Sequence, residues 1–249
     1  SYSFALPPST GSYSLDETAD GETFAGHGTH VSGLIAATRD TTATTGVCVR
    51  CSLMMAKIAA WGYYDEGTLG EAITNLARRG AQVINLSLGY SPGSYAPTTC
   101  TTNPNHVICL GITRAAQVEA VIVAAAGNDK DTTLNWPASD TRVIAVGGTQ
   151  SDGNLWNQAV ALGTSPARNA VDAPLETGTN SGANMTVVAG ARDNLSTMYY
   201  NLNWNETFRC GTAATFNAVP SYFTTTPQQG FGQTVTYGKQ YGVCTGTSM

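Results

Sequence analysis

The chain has 249 residues, of which 42% are hydrophobic and only 12% charged, with 12 Lys plus Arg against 17 Asp plus Glu for a net charge of −5. That length supports one sizeable core and leaves one large domain as open as two small ones, and the lack of an internal repeat or separating linker points to a single domain; an acid excess with no basic run excludes nucleic acid as an electrostatically recruited partner. The longest apolar stretch, "AVIVAAAG", is far short of the roughly 20 residues needed to cross a bilayer, so no membrane partner is expected.

The N-terminal "SYSFALPPSTG" has neither an initiator Met nor a basic segment followed by an apolar one. Any signal peptide is therefore expected to have been removed or to lie outside the sequence. "FAGHGTHVSGLIAA" follows, and its small apolar residues after His27 predict a buried helix beginning at or just after that histidine. The chain carries six cysteines, an even number. Nearness along the chain suggests Cys48 with Cys51, Cys100 with Cys109, and Cys210 with Cys244. "CVRC" alone leaves a zinc or redox pair open, but no second C-x-x-C completes a four-thiolate site, and an extracellular protein favours disulfides.

Five runs, "SLMMAKIAA", "AQVINLSL", "EAVIVAAAG", "TRVIAVGG" and "NMTVVAG", read as nearly continuous apolar strands, the kind buried on both faces of a parallel sheet. Between the first two, Leu69, Ala72, Ile73, Leu76 and Ala77 share one helical face, with Gly80 as the stop. A second helix is expected over Ile112 to Glu119, after the Cys-flanked loop "CTTNPNHVIC" that holds His106. Strands alternating with helices predict an α/β fold with right-handed crossovers and helices on both faces. Residues 150–184 and 199–243 are rich in Gly, Asn, Thr and Pro and read as long loops or small hairpins.

Three residues carry candidate chemistry. A histidine at the buried start of a helix is held neutral, because burial and the positive end of the dipole both disfavour the imidazolium; His27 could thus be a general base, or simply cap its helix. His30, three residues on, leaves open a shared metal site on one helix face. Asn128 follows the apolar strand and Gly127, at the carboxyl end where open parallel sheets gather ligands. Its amide could stabilise an oxyanion without titrating, or could serve only as a turn residue. In "TGTSM", small residues let a backbone approach Ser248, which would offer a hydroxyl and its own N–H. The motif is not the G-x-S-x-G elbow of lipases.

In order along the chain, "GHGTHVSG", "NLSLG", "AAAGN", "WPASDTRVIAVGGT" and "GTSM" resemble the subtilisin family of serine endopeptidases, over about 25–149 and again near 185–198 and 241–249. The sedolisins also carry Gly-Thr-Ser, but they place an Asp in the oxyanion hole and lack His-Gly-Thr-His. The resemblance implies a secreted peptidase with a three-layer α/β sandwich, a mainly parallel sheet flanked by helices. It makes His27 the general base, Ser248 the nucleophile, and Asn128 with the Ser248 N–H the oxyanion donors. An extended polypeptide substrate would add as a strand along Ser87, Leu88 and Gly89, with a second edge near Trp61, Gly62 and Tyr63. Ala125, Ala126 and Gly127 would form one wall of the pocket for the residue before the scissile bond. No cofactor is required for the chemistry, structural calcium is implied by the family, and the protein's own propeptide is implied as a partner. Sequons at Asn184, Asn194 and Asn205, and one at Asn85 in an apparent core strand, carry no functional weight.

The family's aspartate ends a core strand and is followed by Ser or Thr and then Gly. Neither Asp16 nor Asp20 has that context, so the aspartate is expected to precede Ser1, the domain to be incomplete at both ends, and the chain as written to be inactive. Loss of that carboxylate lowers turnover by about 10⁴-fold in a Ser-His-Asp unit. Two other functions fit parts of the pattern: a protease-like protein that binds peptides without cutting them, and a metal-dependent hydrolase using His27 and His30. If His27 is the base of a peptidase, activity should fall as pH drops below about 7, and a rate independent of pH from about 5 to about 8 would contradict that role.

Overall fold

The computed structural model describes residues 2–3, 27–39, 44–58, 64–92, 100–159, 176–191, 194–198, 210–212, 226–230, 233–237, 240–244 and 246–247. In chain order its elements are β1 (Tyr2–Ser3), α1 (His27–Ala36), β2 (Ala56–Lys57), α2 (Glu66–Arg78), β3 (Val83–Leu86), α3 (Val107–Gln117), β4 (Val121–Ala125), β5 (Val143–Thr149), β6 (Asn157–Ala159), β7 (Glu176–Gly178), β8 (Met185–Gly190), β9 (Asn194–Met198), β10 (Cys210–Thr212), β11 (Thr226–Gly230), β12 (Gln233–Tyr237) and β13 (Gln240–Cys244).

Four of the five apolar runs form one parallel sheet in the order β3-β4-β5-β8. The first run does not join it. It is a strand only at Ala56–Lys57, which pairs parallel with Tyr2–Ser3, and Leu53, Met54 and Met55 just before it are exposed. The strands are also less buried than their composition predicts. Ile84, Leu86, Ile122, Ala124, Val143 and Ala145 pack beneath α2 and α3, whereas Val83, Val121, Val187 and Val188 on these strands are exposed. Asn85, expected in a buried strand, is exposed on β3 in alternation with Ile84 and Leu86. Period-2 alternation places it opposite its buried neighbours, a distinction that a continuous apolar run conceals.

Helix α2 follows the expected pattern. Leu69, Ala72, Ile73 and Ala77 are buried, the Asp65 carboxylate caps the first turn by accepting the Thr68 N–H at 2.8 Å, and the helix stops before Gly80. Helix α3 begins five residues earlier than the predicted Ile112, at Val107. The physical reason is His106, which caps it: Nδ1 accepts the Ile108 N–H, and Nε2 meets the Glu66 carboxylate at 2.7 Å. The Cys100–Cys109 disulfide ties the preceding loop to the first turns of the helix.

Past β5, where long loops or small hairpins were expected, the described strands pair antiparallel apart from β8 of the central sheet. β6 pairs with β7, β11 with β12, and β9, β13 and β10 form an antiparallel sheet in the order β10-β13-β9. Cys48 is bonded to Cys51, and the ladder sets the backbones of Cys210 and Cys244 directly opposite each other. The edge around Trp61, Gly62 and Tyr63, Asp16, Asp20, Asn205, Ser248 and Met249 lie outside the described residues.

Helices α2 and α3 meet closely because Gly70 has no side chain: a Cβ there would lie 2.6 Å from the Val107 backbone. Gly70→Ala is therefore expected to destabilise the fold by about 1–3 kcal/mol through overpacking, measured as a lower urea midpoint. An unchanged midpoint would mean that the helices separate without cost.

Candidate active site

The predicted substrate and oxyanion segments leave the carboxyl ends of the adjacent strands β3 and β4, the position at which a parallel sheet exposes backbone to ligands. After β3, Ser87, Leu88 and Gly89 are each partly buried. Ser87 Oγ accepts from Asn85 Nδ2 at 2.9 Å, and Gly89 O accepts from the Tyr64 hydroxyl at 2.9 Å. Just beyond, Tyr90 and Trp136 exchange two backbone hydrogen bonds of 2.8 and 3.0 Å, which closes the far end of this edge.

At the end of β4, Ala125 is partly buried, while Ala126 and Gly127 beyond it are fully so. The Ala126 N–H donates to Val146 O and its carbonyl accepts from the Asn135 N–H, at 2.9 and 2.8 Å. Gly127 has φ +116°, a left-handed conformation that disfavours any side chain, and a Cβ there would collide with the Asn180 and Asn135 amides. The backbone thus turns sharply at Gly127 and delivers Asn128 to the sheet edge.

Thr247, the residue before Ser248, meets Asn128 directly. Its N–H donates to Asn128 Oδ1 at 2.8 Å and its hydroxyl to the same oxygen at 2.9 Å. The Thr247 hydroxyl in turn accepts the Gly127 N–H at 3.2 Å. With Oδ1 taken by two donors, the amide orientation is fixed, and Nδ2 is the end left to donate elsewhere. The resemblance implied that the Asn128 and Ser248 segments meet, and the structure shows that Thr247 makes the contact.

His27 opens helix α1, as predicted, and is partly buried. Three residues on, His30 is wholly buried and its Nε2 donates to the Asn194 carbonyl at 3.0 Å, while Ser196 Oγ donates to the His30 carbonyl at 2.7 Å. These bonds dock α1 on β9. Asn194 stands opposite Cys244 of β13, the strand that leads to Thr247, where the Gly246 N–H bonds to Ala191 O at 2.8 Å. His30 is therefore the residue that seats the His27 helix beside the chain approaching Ser248. Among the described residues no group of three or more His, Cys, Asp or Glu side chains could hold a metal ion. No described helix is long and apolar enough to cross a membrane.

Burial pushes the His27 imidazole down from 6.5 to about 4, and the nearby His30 ring acts in the same direction. This moves its protonation below the region of about pH 7 expected for an ordinary imidazole, so the fall in activity expected below about 7 is corrected to a fall near 4, and a rate independent of pH from about 5 to about 8 is compatible with a base role for His27. In this chain the His27 ring resonances should titrate near 4 rather than 6.5 when followed by NMR. The folded value lies below the unfolded one, so the unfolded state binds the extra proton between them; this contribution to stability is complete above about 6.5 and is lost as pH falls toward 4. A midpoint at 6.5 would show a solvated ring.

The Subtilase family matches residues 9–249. Subtilisin DY of Bacillus licheniformis is 34% identical over 136 residues, 52% of this chain and 45% of its own length. Thermitase of Thermoactinomyces vulgaris is 33% identical over 131 residues, 52% of this chain and 43% of its own. The chain thus spans less than half the length of these two relatives. Among solved structures, the prenylagaramide maturation protease PagA superposes with a TM-score of 0.55 at 20% identity, covering 89% of this chain and 58% of that one, a likeness of fold. The mainly parallel sheet with its flanking helices, the ordered motifs and the family match over residues 9–249 together establish that the chain belongs to the Subtilase family.

Proposed function

We propose that the protein is a secreted serine endopeptidase in which His27 takes the proton of Ser248, Ser248 attacks the scissile carbonyl, and an acyl-enzyme forms and is hydrolysed. The observation that carries this reading is the pair of hydrogen bonds from Thr247 to Asn128 Oδ1, at 2.8 and 2.9 Å. They hold the residue next to Ser248 against the strand end that carries Asn128, and they leave Asn128 Nδ2 free to donate to a developing oxyanion. Such a neutral, fixed donor stabilises the charged intermediate more than the uncharged substrate, which is the condition for raising kcat.

Burial keeps the His27 ring in the neutral form that can accept the serine proton, while a pKa lowered to about 4 makes it a weaker base than a value near the working pH would. A polypeptide substrate would lie extended along Ser87, Leu88 and Gly89, with the side chain before the scissile bond against Ala125, Ala126 and Gly127. Main-chain hydrogen bonds then supply affinity, and the pocket supplies preference. The relatives are themselves described as subtilisin and thermitase, which agrees with this substrate class.

In the full-length protein a fluorophosphonate should label Ser248 covalently. Labelling should vanish in Ser248→Ala, fall by about 10³-fold or more in His27→Ala, and slow as pH drops through the His27 pKa. Peptide binding without any labelling of the wild type, at a pH where His27 is neutral, would instead identify a non-catalytic peptide-binding protein.

A further inference from the structure

One residue that neither motif nor chemistry singles out holds both flanks of Asn128. Asn180 is wholly buried. Its backbone N–H donates to Gly127 O at 2.9 Å, and its side-chain Oδ1 accepts the Asp129 N–H at 2.8 Å and the Asp131 N–H at 3.1 Å. Its Nδ2 donates to Thr133 O and to Asn135 Oδ1, both at 3.1 Å. All four hydrogen-bonding positions of the amide are therefore used on the loop 127–135. That loop also contains Lys130 in the left-handed region at φ +56°, a conformation that persists only where the surroundings impose it.

Asn180 is itself fixed to the central sheet. Thr179 Oγ1 accepts the Gly148 N–H at 2.9 Å and donates to the Asn180 carbonyl at 3.0 Å, so the amide is anchored through β5. We infer that Asn180 is a positioning residue of the oxyanion site: its backbone N–H holds residue 127, its buried side-chain amide holds residue 129 and the loop beyond it, and the side chain thereby sets where Asn128 Nδ2 points. This rests on the proposed role of Asn128. No other side chain of this size offers two donors and two acceptors in one plane. An aspartate would set an oxygen against two carbonyl-type oxygens, and an alanine would remove the shared acceptor of the part-buried Asp129 and Asp131 N–H groups.

The test is a double-mutant cycle in the full-length protein with a peptide substrate, kcat being referred to the concentration of sites titrated by fluorophosphonate. Asn128→Ala alone should lower kcat by about 10²–10³-fold, the usual cost of one oxyanion donor. Asn180→Ala should lower kcat by about 10–100-fold while KM changes by less than about 3-fold, and in the Asn128→Ala background it should cost no more than about 2-fold further, because it acts through Asn128. Equal losses in both backgrounds, or a lower melting temperature with kcat intact, would overturn the inference and leave the role of Asn128 standing. If Asn128→Ala alone left kcat unchanged while Ser248→Ala abolished it, the oxyanion role would fail, and this inference with it. Asn180→Ser keeps one acceptor toward residue 129 and carries the same cycle, with the same deciding outcomes, should the alanine variant not fold.

Discussion

The structure turns on one amide oxygen. Asn128 Oδ1 accepts both the N–H and the O–H of Thr247, which joins the end of strand β4 to a segment 119 residues further along the chain. Such a bond is worth little net in water, about 1 kcal/mol. Its importance here is directional, because an oxygen already satisfied leaves the nitrogen end of the same side chain as the only donor. For that orientation to hold, β4 must end where it does, Gly127 must turn through a left-handed conformation, and β13 must deliver Gly246 and Thr247 to the same place.

Burial does several different things around this contact. It packs Ile73, Ile84, Ile112 and Ile122 between the sheet and two helices, the ordinary source of folding free energy at about 1.5–3 kcal/mol for each large side chain. It also demands that every polar group taken inside find a partner, which Asn180 satisfies for the loop after β4 and His30 for the start of the sheet beside it. At His27 the same dehydration acts on charge. There the imidazolium is the form that loses most by leaving water, so the neutral base is favoured.

Much of the fold was legible, and the failures have physical causes. Helix α2 could be read from Leu69, Ala72, Ile73 and Ala77, because a 3.6-residue period needs no knowledge of the partner that covers it. The start of α3 could not, because the cap is a histidine whose second nitrogen is held by Glu66, forty residues away. The run around Met54 has the composition of a buried strand but stands exposed beside a short pair with Tyr2–Ser3, since an apolar run states a preference for burial and not a location. Asn85 was placed in the interior for the same reason: in a short strand of mostly apolar residues, only the packing of α2 and α3 shows which face is inner.

The sequence by itself determined the family, the alternation of strands and helices in the first two thirds of the chain, and the choice of His27, Asn128 and Ser248 as candidate site residues, because those rest on residue types in a fixed order. Tertiary structure decided which end of the Asn128 amide is free to donate, how far burial lowers His27, and that Asn180 grips the loop after β4. Each of these depends on atoms brought within about 3 Å from distant parts of the chain, where hydrogen bonding and desolvation act, and no local pattern of residues encodes that proximity.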